Sequence, residues 1–139
     1  MATKIRAQIS EKNKYYIDKH RHYELKHFCL QYPSWKKAHS DCLDSKTPLA
    51  MIGGVRESSG IYDPTGLRAT TRAYYANRIE LLEQVAKDAD RYLWKYILKA
   101  VTEGLSYTYL RTKLDIPCGK DMYYDRYRRF FWLLSEIRD

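Results

Sequence analysis

The residues best placed for chemistry lie towards the end of the sequence, where Lys120, Asp121, Tyr124, Asp125, Arg128 and Arg129 fall along one side of a helical stretch. On the other side Tyr123, Tyr127, Phe130, Phe131 and Leu134 recur at i, i+4, i+7, i+8 and i+11, the spacing of a packing stripe. Cations, a phenol and short carboxylates presented together suit duplex DNA. Lysine and arginine reach phosphate or guanine, tyrosine donates to phosphate, and aspartate accepts from cytosine. The plainer alternative is an ordinary surface helix that packs by its aromatic face.

Other groups that could do chemistry lack the required spacing. His20 and His27, like His22 and Cys29, are seven residues apart, and His39 and Cys42 follow further on. No Cys-x-x-Cys or His-Glu-x-x-His pattern is present, so surface histidines and buried free thiols are expected, with no metal site. Gly53-Gly54 lacks the Gly-Lys-Ser/Thr that would hold a phosphate. Cys118 reads as a turn residue. No nucleophile stands beside a base and no carboxylates pair, so neither catalysis nor a cofactor is expected.

The elements that position the basic helix are themselves helical. Leu110 and Leu114 share a face, with Leu105 to anchor the start of that helix, and Asp115-Ile116-Pro117-Cys118-Gly119 forbids helix, Gly119 supplying the turn. A second helix then runs from Lys120 to Leu134. Upstream, Tyr75, Ile79, Leu82, Ala86 and Ala89 predict a long helix from about Leu67, and Leu93, Tyr96, Ile97, Ala100 and Val101 carry the pattern to Gly104. Whether the helix breaks near Asp88–Asp90 stays open. Nearer the N-terminus, Leu25, Phe28, Cys29 and Tyr32 predict a helix over 17–32, stopped by Pro33, and Ser34 is placed to cap a short helix carrying Trp35, Ala38 and Leu43.

Residues 44–66 hold four of the six glycines and two of the four prolines, the composition of a linker, and Asp63-Pro64-Thr65-Gly66 reads as a turn. No strand alternation of useful length occurs. The expected fold is all-α, a helical bundle with a C-terminal helix-turn-helix. Its parts are a basic arm and short helices over 1–43, a linker over 44–66, and a long helix plus helix-turn-helix over 67–139.

The formal charge is +8, which favours a polyanionic partner. Residues 1–43 carry nine Lys/Arg against four Asp/Glu, whereas residues 104–139 carry seven against five. The excess thus sits away from the helix-turn-helix. Lys12, Lys14, Lys19, Arg21 and Lys26, with Ser106 and Arg111, become candidate phosphate contacts. The aromatic stripe of Tyr23, Phe28 and Trp35 is an alternative surface for self-association or for docking another protein. No apolar run approaches a membrane span or a signal peptide, and three cysteines at unrelated spacings suit a reducing cytoplasm.

A helix ending in glycine, then Leu-Ser-Tyr-Thr-Tyr-Leu-Arg-Thr-Lys-Leu-Asp-Ile-Pro over 105–117, then a basic Tyr/Arg helix, resembles region 4 of sigma factors. It also resembles phage transcriptional activators of the RinA/ArpU kind, which control late phage genes. The likeness covers residues 67–139, with Leu105–Leu110 in the first helix, Ile116 as the turn residue and Lys120–Arg129 as the recognition helix. Arg111 stands where such motifs carry a small alanine. The segment from Tyr15 to Lys37 looks like prophage proteins of gut Firmicutes. The resemblance implies a cytoplasmic transcriptional regulator that binds double-stranded DNA, with RNA polymerase and a second copy of the chain as further partners. The alternatives are a small terminase-like DNA-packaging subunit and a helical adaptor that binds no DNA.

Overall fold

The computed structural model describes residues 12–44, 46–52 and 64–138. The basic arm up to residue 11, the Gly53-Gly54 pair and Asp63 lie outside the described residues. Among the described residues every regular element is helical: α1 Lys19–Leu30, α2 Tyr32–Leu43, a short 3-10 turn Leu49–Met51, α3 Pro64–Ala89, α4 Trp94–Glu103, α5 Tyr107–Lys113 and α6 Lys120–Ile137. None of these helices is long and apolar enough to cross a membrane.

By its contacts the chain divides into two units, one built from residues 12–30 with 82–138, the other from residues 31–81. The divisions fall at 30/31 and 81/82. Helix α3 contributes its first part to one unit and its last two turns to the other.

In the larger unit α1 packs on α4 and α6, and α4 also meets α5 and α6. Leu25, Leu82, Ile97, Leu110, Phe130 and Leu134 are fully buried there. Three of the helix ends in this unit have a specific cause. The Asp18 carboxylate accepts the His20 N–H at 2.9 Å and opens α1. Asp90 answers the open question about the long helix. Its Oδ1 accepts the N–H groups of both Tyr92 and Leu93 at 2.8 Å, so α3 stops at Ala89 and α4 starts afresh at Trp94. Helix α4 closes on Gly104 at φ 70°, where the Leu105 N–H reaches back to the Ala100 carbonyl at 3.0 Å.

In the smaller unit Tyr32, Trp35, Cys42, Ile52, Thr71 and Tyr75 are buried. The Arg68 guanidinium donates to the carbonyls of Asp41, Cys42 and Asp44 at 3.3–3.4 Å, and to that of Thr47. These include carbonyls at the C-terminal end of α2, where a cation also complements the helix dipole.

Three sequence expectations need correction. Pro33 does not stop a helix. It is the second residue of α2, where its missing N–H is no loss, and Gln31 rather than Ser34 stands at the N-cap. Pro64 likewise starts α3, so Thr65 and Gly66 are helical and not part of a turn. Leu43, expected to pack, is 61% exposed.

His22 is also not on the surface. It is buried, 2% exposed, with its ring 4.7 Å from Phe131 and 6.1 Å from Tyr127 between centroids. Its Nε2 has no hydrogen-bond partner. Burial, with a smaller contribution from the nearby Lys26 charge, holds its pKa down to about 4. The unfolded chain binds the proton near pH 6.5, so it takes up protons that the folded chain refuses. Stability is therefore complete above about pH 6.5 and falls as the pH drops towards 4, by up to about 3 kcal/mol from this group. Urea unfolding followed across that range should show the loss, and His22→Leu should remove most of it. An unchanged slope in the variant would show that His22 is not the cause.

Candidate nucleic-acid interface

Ser106 has extended backbone and its Oγ accepts the Tyr109 N–H at 3.1 Å, which starts α5. Leu110 is fully buried on the inner face of this short helix. After Lys113 the chain turns through 114–119. The Ile116 N–H bonds the Leu110 carbonyl at 3.1 Å and the Ile116 side chain is fully buried, pinning the middle of the turn to the core. The Tyr107 hydroxyl donates to the Cys118 carbonyl at 2.7 Å, so the first residue of α5 holds the last part of the turn. Its ring lies 5.5 Å from that of Tyr123 on α6.

The left-handed residue of this turn is Asp115, at φ 53°, and not a glycine. Aspartate tolerates this region better than most residues because its short polar side chain bonds locally. Gly119, expected to supply the turn, has φ −77° and ψ 171°, ordinary extended backbone, and serves as the N-cap of α6 without a side-chain cap bond.

Helix α6 buries Tyr123, Phe130, Phe131 and Leu134, as the stripe predicts, while Tyr127 is half-buried. The six polar residues singled out on its other side do not share one environment. Lys120 and Asp121 are exposed, as is Met122 between them and the stripe. Tyr124 is half-buried within a ring cluster, 5.1 Å from Tyr123 and 6.4 Å from Tyr107. Asp125 is half-buried and bonded to Arg126. Arg128 is half-buried, with its Nε shielded and lacking a hydrogen-bond partner. Arg129 reaches the Asp88 carbonyl at 3.4 Å and the Tyr15 hydroxyl at 3.2 Å.

Arg126, on which no expectation rested, is the side chain that fixes α6. Its Nε meets Asp90 Oδ2 at 2.9 Å, so one carboxylate starts α4 with one oxygen and holds α6 with the other. Burial pushes the Asp90 carboxyl upward, but the Leu93 and Tyr92 N–H groups and Arg126 outweigh it and leave the pKa below the usual range. No spacing rule links Asp90 to Arg126. The only signal in the sequence was an aspartate at the suspected helix break.

The candidate phosphate contacts are equally divided. Lys12 is exposed, the Lys14 ammonium lies 5.0 Å from the centre of the Tyr15 ring, and Lys19 lies 6.0 Å from that of Tyr23. Lys26 is half-buried. Arg21 donates to Ser135 Oγ and to the Ser135 carbonyl, both at 3.1 Å, and to the Arg138 carbonyl, which ties α1 to the end of α6. Ser106 is occupied as a cap. Arg111 is exposed and pairs with Asp115 at 3.3 Å, an open pair worth little. Arg111, Lys113 and Lys120, on either side of the turn, are thus the exposed cations of the two-helix unit.

Among the described residues no group of three His, Cys, Asp or Glu side chains gathers as a metal would require. Cys29 and Cys42 are buried free thiols, and burial pushes the half-buried Cys118 thiol up, opposite to what a nucleophile needs. No family model, curated protein or solved structure matches the chain.

Glycine is favoured at one of the two turn residues and not needed at the other. Asp115→Gly should stabilise the fold by about 0.5–1 kcal/mol, because it relieves the left-handed backbone at the cost of an exposed ion pair. Gly119→Ser should be neutral or stabilising by a few tenths of a kcal/mol, since a Cβ there meets nothing within 4 Å. Thermal or urea unfolding of both variants checks this. Destabilisation by Gly119→Ser would mean that this glycine has a conformational role after all.

Proposed function

We propose that the chain binds double-stranded DNA through α5, the turn and α6, used as a helix-turn-helix of the sigma region 4 kind, and that it regulates phage or prophage transcription in the cytoplasm. The observation that carries this reading is the rigid turn. Leu110 and Ile116 are fully buried, Tyr107 holds the Cys118 carbonyl, and Lys120, Asp121 and Met122 at the start of α6 stand exposed beyond it. A helix held by its inner face with a polar leading end is what entry into a major groove requires. Lys120, Asp121 and Tyr124 are the base-edge and backbone candidates in this reading, and Arg111 and Lys113 hold phosphate.

The internal use of Arg21 and Arg129 narrows the contact set. A face with so few exposed cations needs help for useful affinity, and a second copy of the chain, RNA polymerase, or the lysines at 12, 14 and 19 would each supply it. The same shortage favours, as a second reading, a helical adaptor that binds protein and no DNA. The two separate cleanly in one titration.

Fluorescence anisotropy with a short random-sequence duplex, repeated over a salt series, should show affinity that falls steeply with salt. Lys113→Ala with Lys120→Ala should weaken binding and reduce the log–log salt slope by about 2, one for each lost phosphate contact. Absence of duplex affinity at low salt would leave the adaptor reading. Equal slopes in wild type and variant would remove α5 and α6 from the interface.

A further inference from the structure

The larger unit carries a second feature that the duplex reading does not use. A groove of about 450 Å³ is lined by Tyr92, Trp94, Lys95, Tyr96, Lys99 and Leu114. Three of its six lining residues are aromatic, and no carboxylate is among them. Tyr92 is 79% exposed, a degree unusual for a large ring in a folded protein. Cations surround the rings. Lys87 and Lys95 lie 4.8 and 5.7 Å from the centre of the Trp94 ring, and the Arg91 guanidinium lies 5.2 Å from that of Tyr92. Lys99 pairs with Glu103 at 3.0 Å, an exposed pair on the same helix.

We propose that this groove binds an unpaired stretch of DNA, its bases stacked on Tyr92, Trp94 and Tyr96 and its phosphates held by Lys87, Arg91, Lys95 and Lys99. Stacking on rings with cations spaced between them is the general device for gripping a single strand without reading its sequence, because every base has a flat face. An acidic peptide would satisfy the lysines equally, but its apolar side chains would need an aliphatic floor, and Leu114 alone provides one. Leu114, the C-cap of α5, lines the groove, so it adjoins the helix pair proposed to meet the duplex. The choice of DNA over RNA rests on that reading. The stacking itself does not.

The test is a titration of the full chain with single-stranded oligo(dT), followed by anisotropy and by quenching of tryptophan fluorescence. Tyr92→Ala, a change at an exposed ring, should weaken oligo(dT) binding about tenfold. Lys95→Glu should do at least as much, with far-UV circular dichroism unchanged. Both variants should keep duplex binding, whereas Lys113→Ala with Lys120→Ala should keep oligo(dT) binding, so failure of either site is seen separately. Wild-type-like oligo(dT) affinity in Tyr92→Ala and Lys95→Glu, or no oligo(dT) binding by the wild type, would overturn the proposal. Binding of oligo(rU) or poly-glutamate in place of oligo(dT) would also overturn it, and would identify the occupant as RNA or acidic peptide.

Discussion

Burial of the aromatic stripe on α6 is the constraint on which the larger unit depends. Arginines and aspartates are spread over much of this 18-residue helix, and one narrow strip can leave water at a profit: Tyr123, Phe130, Phe131 and Leu134, each 0–1% exposed. Aromatic rings hide large areas and prefer tilted or edge-to-face neighbours, so their burial sets rotation as well as depth. Phe130 and Phe131 meet at 89°, and the row continues through Tyr127 to His22 on α1. Once that strip faces inward, the direction of every polar residue on the helix is decided.

Polar contacts then fix α6 along its length. Arg126 is tied to Asp90 near the middle, Arg129 to the Asp88 carbonyl and Tyr15 on the next turn, and Arg21 holds the carbonyls at the end. Removing charge from solvent costs free energy unless it is paired, and each of these pairings is made with a group that is itself held in place. At the leading turn of α6 Tyr123 is buried with its ring against Tyr107, while Lys120, Asp121 and Met122 are exposed. The helix is therefore anchored along its back and open at its front, the arrangement that a groove-reading helix would use.

Much of this was legible in the sequence. The apolar periods in 67–89, 93–104 and 120–134 fall on α3, α4 and α6, because a face that repeats every three or four residues has only one way to be buried. Glycine 104 and Ser106 act as the stop and start that their types imply. The errors have a common source in local rules with two outcomes. A proline that ends one helix can begin another, as Pro33 and Pro64 do. A turn that needs one left-handed residue can take it from Asp115 although a glycine lies four residues on. What could not be read were the long-range partners. That His22 lies against Phe131, that Asp90 meets Arg126, and that Arg21 is spent on the end of α6 follow from packing between segments distant in sequence, which no local spacing encodes. Of the candidate contacts, Arg21 and Arg129 are thus engaged within the fold, while Lys120 and Asp121 at the leading end stay exposed.

The most direct test of a duplex-binding α5–α6 pair is residue-resolved. ¹⁵N-labelled protein titrated with a short duplex should show amide shifts concentrated over residues 106–125, strongest at the first turn of α6, with α2 unaffected. Shifts absent from that stretch, or confined to other helices while duplex is bound, would contradict the account.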